Sequence, residues 1–154
     1  MPNLLPEGYE DDFISEEDIQ AGKPVGYRNG IAFNYEAGDF PRDGMNRMLD
    51  STGIESWRDW CINCLQTERY KHLAYSTDFG IELDAAMRSK SRDEAESILI
   101  RQITEALMAD PYERTDYVSE ILFDWTAPDT VSVDVTIHGI NDVTIDITAY
   151  LTRY

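Results

Sequence analysis

Two stretches near the C-terminus alternate apolar and polar residues with a period of two, and this pattern constrains the fold more than any other feature. They are TVSVDVTI at 130–137 and VTIDITAYL at 143–151. Their apolar or small positions are Val131, Val133, Val135, Ile137, Val143, Ile145, Ile147, Ala149 and Leu151. Such alternation predicts strands with one buried and one wet face, and the intervening HGIND has turn chemistry. We therefore predict an antiparallel β-hairpin whose last strand is an edge with unpaired backbone groups.

Two helices are predicted from the residues at their starts. Thr52 with Glu55, and Ser91 with Glu94, have the spacing of a capping box, in which side chains satisfy amides that the helix leaves free. Apolar residues follow at helical spacing: Ile54, Trp57, Cys61, Cys64 and Leu65, with Trp60 as a further candidate, and then Ala95, Ile98, Leu99, Ile103, Ala106 and Leu107. The second helix should stop at the Asp-Pro pair at 110–111, because a residue before proline avoids the helical region.

Weaker β signals stand before and after the helices. Asn29-Gly30 is typical of a two-residue hairpin turn, and residues 31–36 then alternate. Asp43-Gly44 is a second turn signal, after which MNRML at 45–49 fits a returning strand or a short helix. VSEILFDW at 118–125 fits another strand. The order of elements predicts an α+β fold: a small antiparallel sheet, two main helices, a C-terminal β-hairpin available for strand exchange and an extended N-terminal arm.

The predicted arm is residues 1–24, and residues 25–154 are predicted to form a single domain. The arm carries seven acids, one base (Lys23), three prolines and no sustained periodicity. Ser15 would cap at most one helical turn in it. A segment of this composition is expected to be poorly ordered unless something holds it.

The net charge narrows the choice of partners. Thirty acidic residues stand against 13 Lys and Arg, which gives a net charge of −17. This excess of acid repels phosphate, so direct binding to nucleic acid or to an anionic membrane is not expected. A cationic protein surface is the natural complement, and plain solubility explains the charge equally well. No stretch is apolar enough to span a membrane and the first residues resemble no secretory signal, so we expect a chain made in the cytoplasm.

Two short motifs invite a chemical interpretation that their surroundings do not support. Cys61 and Cys64 have redox or zinc spacing, but both fall late in a helix on its apolar stripe, which predicts buried core thiols. Residues 78–80 spell the Asp-Phe-Gly of protein kinases, yet the chain has no glycine-rich phosphate loop or catalytic loop. Gly80 is expected to serve a turn instead.

The remaining candidates for catalysis are isolated. Glu68 and Asp78 could be paired as acid and base for glycoside hydrolysis, but no spacing distinguishes them among 30 acids. His72 and His138 are far apart in sequence and lack a nucleophile nearby. We predict no catalytic residue, no cofactor and no metal.

The stretch QTERYKHLAYSTDFG at 66–80 concentrates charged and aromatic residues directly after the first helix. Arg69 offers a planar fork of donors that suits carboxylates and helix C-terminal carbonyls. Tyr70, Tyr75 and Phe79 supply aromatic area, which together with Arg is enriched where interfaces are strongest. Glu68 and Arg69 could therefore close the helix end internally or dock on a neighbouring protein, and both interpretations remain open.

Residues 57–83, WRDWCINCLQTERYKHLAYSTDFGIEL, resemble the contractile-tail baseplate proteins typified by the sheath initiator of T-even phages, and most of all the members in PBSX-like tails. The match is carried by Thr67, Glu68, Arg69, Tyr70, Tyr75, Ser76, Asp78, Gly80 and Glu82. A later segment at 98–125 is similar to the family's second helix and the strand after it. In the phage branch a Glu-Pro-Arg motif contacts the helical bundle of the wedge, whereas Glu68 and Arg69 are adjacent here.

The resemblance implies a non-enzymatic structural subunit of a baseplate, with a fold similar to the inner domain of the sheath protein. Such a subunit joins the wedge to the tube and templates the first sheath ring, with strands exchanged between subunits. Implied partners are baseplate wedge proteins, the tail sheath protein and tail tube or hub proteins, in multiple copies around a symmetric tail of a virion or phage-tail-like particle. The candidate interface residues are Glu68, Arg69, Tyr70 and Tyr75, and on the last strand Val143, Ile145, Ile147 and Tyr150.

Two other functions compete with this one. Some relatives carry a lysozyme label, so a peptidoglycan hydrolase that uses Glu68 and Asp78 is one alternative. A soluble acidic adaptor or inhibitor that binds a basic protein outside any tail is the other, and it would follow from the net charge alone.

Overall fold

The computed structural model describes residues 26–153 and has the predicted α+β architecture. In chain order the elements are β1 (Gly30–Ile31), β2 (Asp50–Ser51), α1 (Gly53–Gln66), α2 (Leu83–Met87), α3 (Arg92–Met108), β3 (Thr115–Ala127), β4 (Thr130–Gly139) and β5 (Thr144–Thr152). β1 and β2 form a two-stranded ribbon, and the C-terminal strands form an antiparallel sheet in the order β3-β4-β5. The predicted arm, with Ser15, lies outside the described residues.

The predicted C-terminal hairpin is confirmed. β4 pairs with β5 in a regular register that sets Val135 opposite Ile147. Asn141 and Asp142 turn the chain with positive φ angles of 59° and 58°, a conformation that these two residue types tolerate. Buried on the inner face of β4 and β5 are Val131, Val133, Val135, Ile137, Ile147, Ala149 and Leu151. Among the described residues β5 is an edge strand, because β4 pairs with one side and no strand pairs with the other.

The helices cover the inner face of this sheet, with α1 against β5 and α3 against β3. The capping box of α1 is complete: Thr52 Oγ1 accepts a hydrogen bond from the Glu55 amide (3.3 Å), and Glu55 Oε2 accepts one from the Thr52 amide (2.9 Å). The apolar stripe begins at Trp57 rather than at Ile54, which is exposed in the first turn. Cys61 and Cys64 are buried in the core as free thiols, as predicted.

The second predicted helix is α3, and only one of the two hydrogen bonds of its predicted capping box is formed. Ser91 Oγ accepts from the Glu94 amide at 3.2 Å, but Glu94 Oε2 accepts from the Lys90 amide instead of returning to Ser91. Gln102, which is buried, accepts a hydrogen bond from the Glu82 amide at 3.0 Å. That bond ties α3 to the segment that precedes α2.

The expected hairpin turn at Asn29-Gly30 is wrong. Gly30 lies within β1 and pairs with Ser51, and a Cβ atom at Gly30 would come within 2.6 Å of Ser56 Oγ. The glycine is therefore accounted for by close approach to α1 and not by a turn. The chain reverses later, after Asn34, whose side chain accepts hydrogen bonds from the amides of residues 36 and 37.

The second predicted turn is confirmed, but the strand expected after it is not. Asp43 Oδ1 accepts hydrogen bonds from the amides of Met45 and Arg47 at 2.8 and 2.9 Å. These bonds hold most of MNRML in a turn, with Asn46 at a φ of 64°. A bridge at Met48 and the two residues of β2 are all that remains of the returning strand.

Candidate protein interface

The segment after α1 is held by backbone hydrogen bonds to Ile81. The Ile81 amide donates to the Thr67 carbonyl at 3.0 Å, and the Arg69 amide donates to the Ile81 carbonyl at 2.9 Å. Glu68 thereby forms a parallel bridge with Ile81. Residues 70–79 project as a loop closed at its base by these bonds.

Gly80 makes this closure possible. Its φ is +93°, which favours glycine, and a Cβ atom there would lie 2.5 Å from the Thr67 carbonyl oxygen. The turn role expected for Gly80 is confirmed. Both requirements mean that any side chain at position 80 would push the loop base apart.

Arg69 and Glu68 have different surroundings. The Arg69 guanidinium Nε donates to the Gly80 carbonyl at 2.9 Å, so this side chain closes the loop base from within. Glu68 has no side-chain hydrogen bond or ion pair among the described residues. The sequence left open whether this pair closes the helix end internally or docks on another protein. Arg69 makes the internal contact, whereas the Glu68 carboxylate has no partner among the described residues.

The aromatic residues of the loop also differ in their surroundings: Phe79 packs inward, whereas Tyr70 and Tyr75 are exposed. Phe79 packs edge-on against Trp60, with ring centroids 5.8 Å apart, and Tyr75 lies 4.5 Å from Phe79 while remaining half exposed. Tyr70 has a positive φ of 69° and is largely exposed. Leu73, which the sequence reasoning missed, is fully exposed at 105%. Its one available signal was that it is the only large aliphatic residue in the stretch at 66–80, which is otherwise rich in charged, polar and aromatic residues.

A cleft of about 330 Å³ joins this segment to the end of β5. It is lined by Leu65, Gln66, Thr67, Glu68, Lys71, Ile81, Leu83, Asp84, Tyr150, Leu151, Thr152 and Arg153. Arg153 forms an ion pair with Asp84 at 2.9 Å across it. The structure thus brings Glu68 and Tyr150, two predicted interface residues 82 positions apart, to one site. Asp78, the other half of the imagined hydrolase pair, does not line this cleft.

Of the other interface residues predicted for the last strand, Ile145 and Ile147 lie inward on β5, and Val143 precedes β5 by one residue. Tyr150 is 67% exposed, whereas Ile147 is buried, and Val143 and Ile145 pack partly buried against the core. A partner that reaches the free side of β5 would therefore meet backbone N–H and C=O groups, beside the exposed side chains of Thr144, Asp146, Thr148 and Tyr150.

The two core cysteines are buried free thiols and do not line this cleft. Burial raises the pKa of the Cys61 thiol above its usual range, and it raises that of Cys64 to about 11. Within residues 26–153 no group of three or more His, Cys, Asp or Glu side chains is placed to hold a metal ion.

Comparison with known proteins identifies one family. A family model described as "Contractile injection system sheath initiator" matches residues 29–142, which is most of the chain. The match includes the segment after α1 and ends just before β5. No curated protein matches the chain significantly. In the part of the chain that the structure describes, no helix has the length and apolar character needed to cross a membrane.

Proposed function

The chain belongs to the contractile injection system sheath-initiator family, and we propose that it joins the baseplate wedge to the tail tube and templates the first ring of sheath. Membership itself gives the coarser statement: the protein has a structural role in the sheath of a contractile injection system and is a component of such a particle, where it meets sheath and baseplate proteins. The wedge, the sheath protein, and the tube or hub proteins are the partners that we propose specifically.

The free side of β5 supports a role in templating sheath. An edge strand presents a row of unpaired backbone donors and acceptors to any strand that approaches it. Strand addition forms many main-chain hydrogen bonds without needing a deep pocket. The core would stay closed during this step, because Ile147, Ala149 and Leu151 already fill the inner face of β5.

The observation that carries the proposal is the shared cleft of Glu68 and Tyr150. A wedge protein that binds the free Glu68 carboxylate would lie directly beside the end of β5. The sheath strand could then be added where the baseplate has just been contacted, so one subunit would connect the two assemblies. The loop at 70–79, with its exposed Tyr70 and Leu73, would enlarge the wedge-side contact.

Electron microscopy of particles from a strain that lacks the protein tests the proposal. We expect tubes and baseplates without sheath in that strain, and normal sheathed tails after complementation with the wild-type chain. Tyr150→Glu changes an exposed side chain of β5, so it should fold normally, enter the baseplate and leave most tubes unsheathed. Mass spectrometry of the purified particles reports whether the variant is present.

The matched control is Leu122→Glu. Leu122 is 54% exposed on β3, at the opposite edge of the same sheet, and the substitution adds the same charge. It should leave sheaths intact. Normal sheaths with Tyr150→Glu, or equal loss of sheath with Leu122→Glu, would contradict a specific role for the end of β5.

A further inference from the structure

A second cleft, here called the ribbon cleft, lies between the N-terminal ribbon and the side of α1. Its volume is about 440 Å³. It is lined by Ala32, Phe33, Tyr35, Leu49, Asp50, Ser51, Glu55, Arg58, Asp59 and Ile62. The cleft of Glu68 and Tyr150 shares none of these residues, so the proposed function does not use this surface.

The ribbon exposes a concentration of large apolar side chains. Exposed on or beside it are Ile31, Tyr35, Phe40, Met45, Met48, Leu49 and Ile54. Single exposed apolar residues are ordinary on soluble proteins, whereas a group of them marks a surface that binds something. Tyr35 and Leu49 form such a group, because they line one cleft with Phe33, on which Phe40 packs. Aromatic residues and methionines are also the types enriched in protein interfaces.

The aromatic part of this surface is held in place by internal contacts. Phe33 lies edge-on to both Tyr35 and Phe40, with ring centroids 5.0 and 5.1 Å apart. The Tyr35 hydroxyl donates a hydrogen bond to the Asp59 carbonyl at 3.2 Å, and burial with the nearby Asp59 charge raises the pKa of Tyr35 to about 12. The ribbon wall is thus fixed to α1, and a pre-organised surface loses less entropy when a partner binds.

The charge at the cleft rim selects the occupant. The charged residues that line the cleft are three acids and one base: Asp50, Glu55, Asp59 and Arg58. A second copy of this chain, with a net charge of −17, would meet strong repulsion. Residues 1–24, with seven acids and one base, have the same sign and suit the rim no better.

We propose that the ribbon cleft docks a segment of another protein that carries apolar side chains flanked by Lys or Arg. The apolar side chains of that segment cover Phe33, Tyr35 and Leu49, and its basic groups face the acidic rim. Opposite charges at a rim mainly raise the association rate and exclude wrong partners. The apolar floor provides the burial that holds the complex together.

Site-specific photo-crosslinking in the producing cell tests this proposal on the full chain. A benzophenone amino acid replaces Leu49 (43% exposed), with the same group at Ile100 on α3 (44% exposed) as the matched position. We expect position 49 to capture a Lys/Arg-rich apolar segment of a different protein, identified by mass spectrometry of the cross-linked peptide, at several times the yield of position 100. Separate fractionation of particles and free protein shows whether the chain is in the tail, which tests the proposed function independently.

The other occupants are distinguishable outcomes, and each overturns the proposal. These outcomes are a cross-link to residues 1–24 of the same chain, one to a second copy of the chain, one to an acidic or uncharged segment, and a yield no greater than at position 100.

Charge reversal supplies the second measurement. Asp50→Lys alters the rim, whereas Asp124→Lys makes the same change in net charge on β3, at a residue that does not line the ribbon cleft. We expect the cross-linking yield at position 49 to fall at least fivefold with Asp50→Lys and to stay unchanged with Asp124→Lys. An equal fall with both variants would mean that the overall charge, and not the rim, attracts the partner.

Discussion

Charge reversal at Arg69 and charge reversal at Glu68 should impair different properties of the protein: its stability in the first case and its assembly into baseplates in the second. Arg69 donates to the Gly80 carbonyl, whereas the Glu68 side chain has no hydrogen bond or ion pair among the described residues. Arg69→Glu therefore removes an internal bond and places a carboxylate near a carbonyl oxygen. Glu68→Arg changes only a group that lines the cleft. We predict that Arg69→Glu destabilises the isolated protein and that Glu68→Arg prevents its incorporation into baseplates without destabilising it.

The magnitudes follow from these surroundings. A hydrogen bond from a charged donor contributes about 1.5–3 kcal/mol, and because Arg69 is only partly buried we expect a loss near the lower end, about 2 kcal/mol. With a urea m-value of about 1–3 kcal/mol per molar, the unfolding midpoint of Arg69→Glu should fall by roughly 1 M. Glu68→Arg should stay within about 0.5 kcal/mol of wild type, as is usual for surface changes.

Two assays measure the two effects. Urea unfolding followed by tryptophan fluorescence gives the stability of each purified variant. Mass spectrometry of particles from a complemented deletion strain gives the amount of each variant in the baseplate. Glu120→Arg, on the outer face of β3, makes the same charge change away from the cleft and should incorporate normally. Wild-type incorporation of Glu68→Arg would refute the interface role of Glu68, and a loss of stability equal to that of Arg69→Glu would refute the division between the two residues.

Three further predictions concern the frame that holds the site. Asp110→Ala should destabilise the protein by about 3–5 kcal/mol in thermal or urea unfolding, because it leaves the Arg114 guanidinium buried without its bidentate partner. Gly80→Ala should cost at least about 1–2 kcal/mol from its positive φ alone and should speed hydrogen exchange at the loop base; unchanged exchange would contradict the role assigned to this turn. Cys61 and Cys64 should resist a thiol reagent in the native protein at pH 8, and stability should fall as the pH rises from 9.0 toward about 11, since the unfolded chain releases the Cys64 proton first.

The elements that could be predicted from sequence are those set by neighbouring residues. β4 and β5 are joined by a short turn, so their period of two and the turn chemistry of HGIND specify the hairpin locally. The box of Thr52 and Glu55 likewise acts across three residues. Long-range pairing overrode a local signal elsewhere: Gly30 follows Asn29 as in a turn, yet it pairs with Ser51.

Asp110 is a second case in which long-range packing decides what the local sequence does not. The Asp-Pro pair correctly predicted that α3 would end, but not that Asp110 would be fully buried, accepting two hydrogen bonds from the Arg114 guanidinium at 2.8 and 2.9 Å. An acid and a base four residues apart are common in any charged chain. Their burial depends on packing that brings Trp60 and Tyr112 within 5.7 and 5.1 Å of the guanidinium, which no local pattern reveals.

Only the local part of the candidate site could be predicted from the sequence, because the rest depends on long-range packing. The density of charged and aromatic residues indicated a junction after α1, and the structure has one there. That Glu68 shares a cleft with Tyr150 depends on the whole path of the chain through α2, α3 and the sheet. No spacing in the sequence could predict it.

The absence of a proline between Glu68 and Arg69 has a structural consequence that bears on docking. Side chains of adjacent residues in an extended chain point to opposite sides, and those two positions apart point to the same side. Thr67 is extended and Glu68 bridges Ile81, so the adjacent pair sends one side chain to the cleft and the other to the loop base. The Glu-Pro-Arg spacing of the phage branch would direct both charges to one side. In the proposed contact with the wedge, the carboxylate of Glu68 therefore acts without Arg69, and we expect a basic group on the wedge protein to bind it.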